Sequence, residues 1–364
     1  MILDFKELRD MKYKKNLNDN YSKIVKDSKN WNPTYLNDID FDWNSMINGD
    51  LKECKKKVEE FFSKILFFNE GTKQLAIKLM KYSRVDHKGS SYYLRLVHTL
   101  SLYLLGIILA KEIGYQYFVN ENNQLEFLKD WLIICLCHDL GYEVEYNNDI
   151  SKYKTIDDFM EENNLQYDCR NCMDKELLNG YFLYRINEHG KIDHGIAGAY
   201  FLYESMMRYR KDKTDLVETV KYNFSNWNSK TYQKRADKYV EVIAKHNMWF
   251  SEKGKEQVYR KYNLNKLIFN NQKDSRYGFK DNPFLFLLCL IDTLEPVKLN
   301  QMNPEILNQL EIDIINHNNK VRLLFKGNIS IFENSLDIKK GIETWMKVKA
   351  CKDDLELLVE FALS

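Results

Sequence analysis

His138 and Asp139 stand side by side at the end of the apolar run WLIICLC, within the stretch LCHDLGYEVE (136–145). An imidazole and a carboxylate in such surroundings need partners, because a buried carboxylate without one is costly. Three further histidines, His98, His194 and His246, fall within or at an end of predicted apolar helices. On the helix expected over 235–250, Tyr239, Val242, Ile243 and His246 follow the i, i+3, i+4, i+7 rule, so His246 shares the apolar face. On the helix expected over 283–296, Leu285, Leu288, Cys289 and Asp292 do the same, and Asp292 turns inward. For any one of these histidines alone, a hydrogen bond within the protein is the favoured reading. Four imidazoles and two carboxylates converging from five helices point instead to metal. Neutral imidazole and ionised carboxylate suit first-row divalent cations. Six such ligands exceed what one catalytic ion with an open position needs, so two metals are expected.

The elements that must position these groups are mainly helical. The chain has 364 residues, of which 44% are hydrophobic, so a core is available; only 14 are Gly and 4 Pro, which favours long helices over a loop-rich β architecture. The 54 basic and 53 acidic residues leave a net charge of +1, so no global field would draw nucleic acid or an anionic membrane. No signal-peptide core opens the chain, and the longest apolar runs, such as FLFLLCLI (284–291), are too short to span a bilayer. Seven cysteines without a paired framework suggest a reduced, cytoplasmic setting. The pair with the spacing of a metal knuckle, Cys169 and Cys172 in CRNC, lacks the second pair that a zinc ribbon needs.

Along the chain, residues 1–60 read as a polar, lysine-rich helical and irregular cover, and helical periodicity runs over about 52–82. A core over 61–300 follows. Its central helix is YYLRLVHTLSLYLLGIILAKEIG, and its next is LEFLKDWLIICLCHD, stopped by Gly141. Residues 146–188 are polar and less regular, and read as an insertion. A helix opens after the N-cap Asp193, and Gly195, Ala197, Gly198 and Ala199 would let another helix approach closely. Pro283 suits the first turn of a later helix. The tail, 301–364, changes character: LEIDIINHNNKVRLLF predicts a β-hairpin, followed by an amphipathic helix over about 335–362.

The order His98, His138-Asp139, His194, His246, Asp292 resembles the HD-domain metal-dependent phosphohydrolase superfamily. RLVHTLSLYLLG is similar to its first ligand helix and LCHDLGY to its second; DHGIAGAYFL, AKHN and LCLIDTLEP are similar to its later ligand segments. The likeness covers roughly 90–298. It implies a bundle of at least five core helices, with two divalent ions (Mn, Fe, Ni, Co, Zn or Mg) at its centre. It assigns His98, His138, Asp139 and Asp292 to the first metal. Asp139 would bridge to the second, completed by His194 and His246. A bridging carboxylate and hydroxide relieve the repulsion between two such cations, and the hydroxide would attack phosphorus in line.

The implied substrate is a small phosphate ester, with nucleotides the first class to test. The subgroup that cleaves cyclic dinucleotides carries a lysine after the glycine of this motif and a downstream Gly-Tyr-Pro. Here Tyr142 follows Gly141 and no Gly-Tyr-Pro occurs, so that substrate is not favoured. Arg95, one turn before His98, is a candidate phosphate contact or ion-pair partner. Lys191, three residues before His194, and His87, in the loop before the first ligand helix, are further candidates for substrate binding. Glu143 and Glu145 are candidates for a rim or for groups behind the ligands. Two other readings stay open. Members similar to inositol oxygenase use the same six ligands for a di-iron centre, and an HD module can serve regulation or binding. Nucleic acid and membrane are not expected as partners; self-association is open.

Overall fold

The apolar run that carries His98 forms α1 (Ser91–Ile113), a helix whose residues from Val97 to Ala110 are almost all buried. Gly114 ends it at φ 113°, a conformation that favours glycine. In this computed structural model the described residues are 21, 56–58, 60, 91–119, 124–147, 149–215, 229–251, 254–268, 276–296, 310–317, 320–327, 335–347 and 355–363. The cover over 1–60, the helices over 52–82 and the loop with His87 lie largely or wholly outside them. Among the described residues the protein is mainly helical, with ten α-helices and a three-stranded mixed sheet near the C-terminal end. No described helix is long and apolar enough to cross a membrane.

The other helices are α2 (Gln124–Cys137), α3 (Tyr142–Asn147), α4 (Ile156–Glu162), α5 (Lys175–His189), α6 (His194–Asp215), α7 (Ser229–Lys245), α8 (Glu256–Lys261), α9 (Pro283–Leu294) and α10 (Ser335–Trp345). The described chain divides into two compact units. One holds α1, most of α2, α9, α10 and the sheet; the other holds the end of α2 and α3 to α8.

In the first unit α1 packs on α9. Asn282 caps α9 by accepting the Leu285 N–H at 3.1 Å, and Pro283 takes the first helical position, where a missing N–H costs nothing. Phe118, Phe127, Trp131 and Phe284 form an aromatic cluster with ring centroids 5.0–6.4 Å apart. Gly106 makes room for it, since a Cβ there would lie 2.3 Å from the Trp131 indole. Strand β1 (Glu311–His317) pairs antiparallel with β2 (Lys320–Gly327), His317 facing Lys320, so the predicted hairpin is present. The predicted helix over 335–362 is corrected. It ends at Trp345, and Glu356–Leu363 form β3, parallel to β2. Burial alternates from Leu355 to Glu360, the period of a strand. A parallel pair needs a crossover, and α10 lies within it. Arg322 on β2 pairs with Glu360 on β3 at 2.6 Å.

In the second unit the polar segment 146–188 is also corrected: it is largely helical. Its helices start at side-chain caps rather than at long apolar stripes. Thr155 and Asp158 form a reciprocal capping box at α4, and Asp174 accepts the Leu177 N–H to start α5. Asp193 caps α6 as expected, its Oδ1 accepting the Ile196 N–H at 3.1 Å. The helix predicted over 125–139 ends at Cys137, and Gly141 leads straight into α3. Gly141 serves close packing: a Cβ on it would lie 2.0 Å from the His194 carbonyl oxygen and 2.7 Å from the Gly198 nitrogen. Gly198 in turn faces the Cys137 carbonyl, and Gly195 faces the Ile243 carbonyl. The small residues of α6 therefore seat it against the His-Asp turn on one side and the end of α7 on the other.

Candidate metal centre

The second unit gathers four of the six expected ligands. His138 sits in the turn after α2, His194 opens α6, and His246 directly follows α7. All three are buried, and Asp139 is partly so. The ring centroids of His138 and His194 lie 5.5 and 5.2 Å from that of His246. Asp139, His194 and His246 each offer one ligand atom, and these atoms lie within 4.8 Å of one another. Asp139 Oδ1 is 3.3 Å from His138 Nε2 and 3.8 Å from His194 Nε2, so one carboxylate oxygen faces two imidazoles.

In the first unit His98 on α1 meets Asp292 on α9. Its Nε2 is 3.1 Å from Asp292 Oδ1, and its Nδ1 is 2.8 Å from Glu295 Oε2. Burial opposes a charge on this ring, but the hydrogen bonds to Asp292 and Glu295 outweigh it and push His98 up to about 10. The imidazolium thus links two carboxylates. A divalent cation on Nε2 and Asp292 would take the place of its proton.

One feature is common to all four histidines: an oxygen engages Nδ1. His138 Nδ1 is 2.7 Å from the Cys135 carbonyl, and His246 Nδ1 is 2.7 Å from the Ile243 carbonyl. A carbonyl only accepts, so Nδ1 carries the hydrogen in both and Nε2 carries the lone pair of the neutral ring. His194 Nδ1 donates to Glu145 Oε2 at 2.7 Å. Burial alone would raise the Glu145 carboxyl, but bonds from His194 and Lys191 outweigh it and hold the group down at about 2, an obligate acceptor. In each ring Nε2 is thereby the atom left to meet a metal, as in the usual arrangement of an imidazole ligand, and on His98 a cation would first have to replace the proton. The nitrogen and carboxylate donors fit a divalent first-row cation.

Behind these groups lies a charged network. Arg185 on α5 has Nη2 3.6 Å from Glu145 Oε1 and Nε 3.3 Å from Asp193 Oδ2. Lys191 also bonds Glu145. Asn247, next to His246, donates to Asp193 Oδ2 at 2.8 Å. The Tyr142 ring stacks on His194 at 3.8 Å between centroids, so it packs one of the candidate ligands.

Of the residues expected to bind substrate, Lys191 is engaged by Glu145, Arg95 is half-buried on α1 one turn before His98, and His87 lies outside the described residues. Glu145 bonds the ring of the candidate ligand His194; the Glu143 side chain is outside the described residues. Glu295, Arg185 and Asn247 were not singled out from the sequence. For Glu295 a signal existed, because it follows Asp292 by three residues and shares its face of the helix. Arg185 sits in the supposed insertion, and only its three-dimensional partners mark it. No protein-family model, no curated protein and no solved structure matches the chain.

Proposed function

We propose that the protein is a metal-dependent phosphohydrolase acting on a small phosphate ester, with a nucleotide as the first substrate class to test. The observation that carries the reading is the uniform presentation of Nε2 by His98, His138, His194 and His246, each ring held at Nδ1 by an oxygen, with a carboxylate facing His98, His138 and His194. The reaction class comes from the resemblance of the six positions to HD-domain phosphohydrolases, which also assigns His98 and Asp292 to the same centre as the other four.

Two divalent cations, when bound, would supply a hydroxide nucleophile at neutral pH and neutralise charge on a phosphoryl group. The chain's own part is to hold that chemistry in place. His138, His194 and His246 would hold the cations through their Nε2 atoms, and Asp139, whose Oδ1 faces His138 and His194, would supply a carboxylate to them. Glu145 and Glu295 keep His194 and His98 oriented.

The test is a screen of metal-reconstituted protein against phosphomonoesters, phosphodiesters and nucleotides. Hydrolysis that depends on added Mn(II), Co(II) or Ni(II) and is lost in Asp139→Ala is the expected result. Activity that survives Asp139→Ala would rule out the two-metal mechanism. Two bound irons with a mixed-valent signal and no hydrolysis would shift the assignment to the oxygenase class.

A further inference from the structure

We infer that Arg185 is a positioning residue that presents two of the candidate ligands, His194 and His246, as one unit. This rests on the reading of Asp139, His194 and His246 as metal ligands. Arg185 is buried and enters from α5, outside every ligand segment. One arm of its guanidinium lies 3.6 Å from Glu145 Oε1, while Glu145 Oε2 holds His194 Nδ1 at 2.7 Å. The other arm lies 3.3 Å from Asp193 Oδ2.

Asp193 is a junction in its own right. Its Oδ1 accepts the Ile196 N–H and fixes the first turn of α6, where His194 stands. Its Oδ2 accepts from Asn247, the residue after His246. Gly195 completes the junction, since a Cβ there would meet both Asp193 Oδ1 and the His246 ring at 3.1 Å. A single guanidinium therefore serves the carboxylate behind His194 and the carboxylate that ties the start of α6 to the His246 segment.

The chemistry explains why an arginine is needed. Glu145 and Asp193 are acidic side chains brought close together out of water, and the guanidinium between them offsets their repulsion and fixes where they sit. The extended, planar guanidinium spreads its charge over both ion pairs at once, whereas an ammonium is a point charge on a flexible stem. Lys191 also bonds Glu145 but from a more exposed position, so it supports one end of the network.

The experiment is Co(II) titration of the metal-depleted full-length chain, followed by calorimetry and by the visible absorption of bound Co(II). In Arg185→Lys one equivalent should bind about 10–100-fold more weakly, the size usual for groups behind metal ligands, with an altered absorption spectrum and unchanged far-UV circular dichroism. Wild-type affinity and spectrum in Arg185→Lys would overturn the proposal. If that variant does not fold, Glu145→Gln and Asn247→Ala decide. Their losses in Co(II) affinity should be non-additive in the double variant, because one guanidinium couples them; additive losses would overturn it. A wild-type protein that takes up no Co(II) overturns the metal reading itself, and with it this inference. Co(II) uptake that is indifferent to Arg185→Lys overturns the inference alone.

Discussion

Asp139, His138 and Gly141 divide the labour of one short turn. The first two are candidate metal donors, and the third, by lacking a side chain, lets α6 come close enough to bring His194 beside them. Gly141→Ala should therefore act as an overpacking change against backbone atoms. We expect a loss of at least about 1–3 kcal/mol in urea denaturation, together with weaker Co(II) binding. Unchanged values of both would mean that this approach is not tight. His98→Ala should remove one of two metal equivalents in elemental analysis if the resemblance assigns it correctly, and retention of both would reject that assignment. The inward direction of His246 and Asp292 was legible from helical periodicity alone, and both are buried. The groups that hold the rings were mostly not legible. Carbonyl partners such as Ile243 have no sequence signature, and Arg185 meets Glu145 across 40 residues of chain.

At the scale of elements, apolar periodicity found the long helices and failed where caps do the nucleating. The segment 146–188 looked irregular because α4 is short, α5 lacks a continuous apolar stripe, and the starting signals are single residues such as Thr155 and Asp174. Asp174 offers a direct check. Burial pushes its carboxyl up, but Lys266 and the Leu177 N–H outweigh that and hold it below its ordinary value. A depressed carboxyl contributes stability above its unfolded value, about 3.9, and loses that contribution as pH falls through its folded value. Asp174→Ala should cost about 1 kcal/mol at pH 7 in chemical denaturation. The gap from wild type should close as pH drops below about 4, and a gap that persists there would count against the cap. The final strand was misread for a different reason. LELLVEFAL satisfies a helical stripe and a strand alternation equally well over so short a run, and pairing with β2 decides the matter.

For the whole molecule, the helical class was legible from composition and the antiparallel hairpin from its alternation. The three-stranded mixed sheet was not, because pairing between β2 and β3 is a tertiary choice. Phe284 tests the core of the first unit, since it touches Phe118, Phe127 and Trp131. Phe284→Ala should cost about 3–5 kcal/mol in calorimetric or denaturant unfolding. A loss under about 1 kcal/mol would show that this cluster is dispensable. Saturating Co(II) should raise the melting temperature of the metal-depleted protein, because a ligand at a hundred times its Kd adds about 2.7 kcal/mol to the native state. No rise would argue against a folded-state metal site.

The hydrogen bond between His98 and Glu295 joins residues 197 positions apart. At ordinary rates of synthesis, Glu295 is made roughly 10–40 s after His98. Throughout that interval α1, apolar on nearly every side, has been made but α9, the helix it packs against, has not. The second unit is complete in the chain by residue 275, so its His138, Asp139, His194 and His246 cluster can form while α1 still waits. Biogenesis therefore has an ordered schedule. The cluster around His194 can be built first, and the window of exposed apolar surface belongs to α1, which makes that helix the expected point of chaperone engagement.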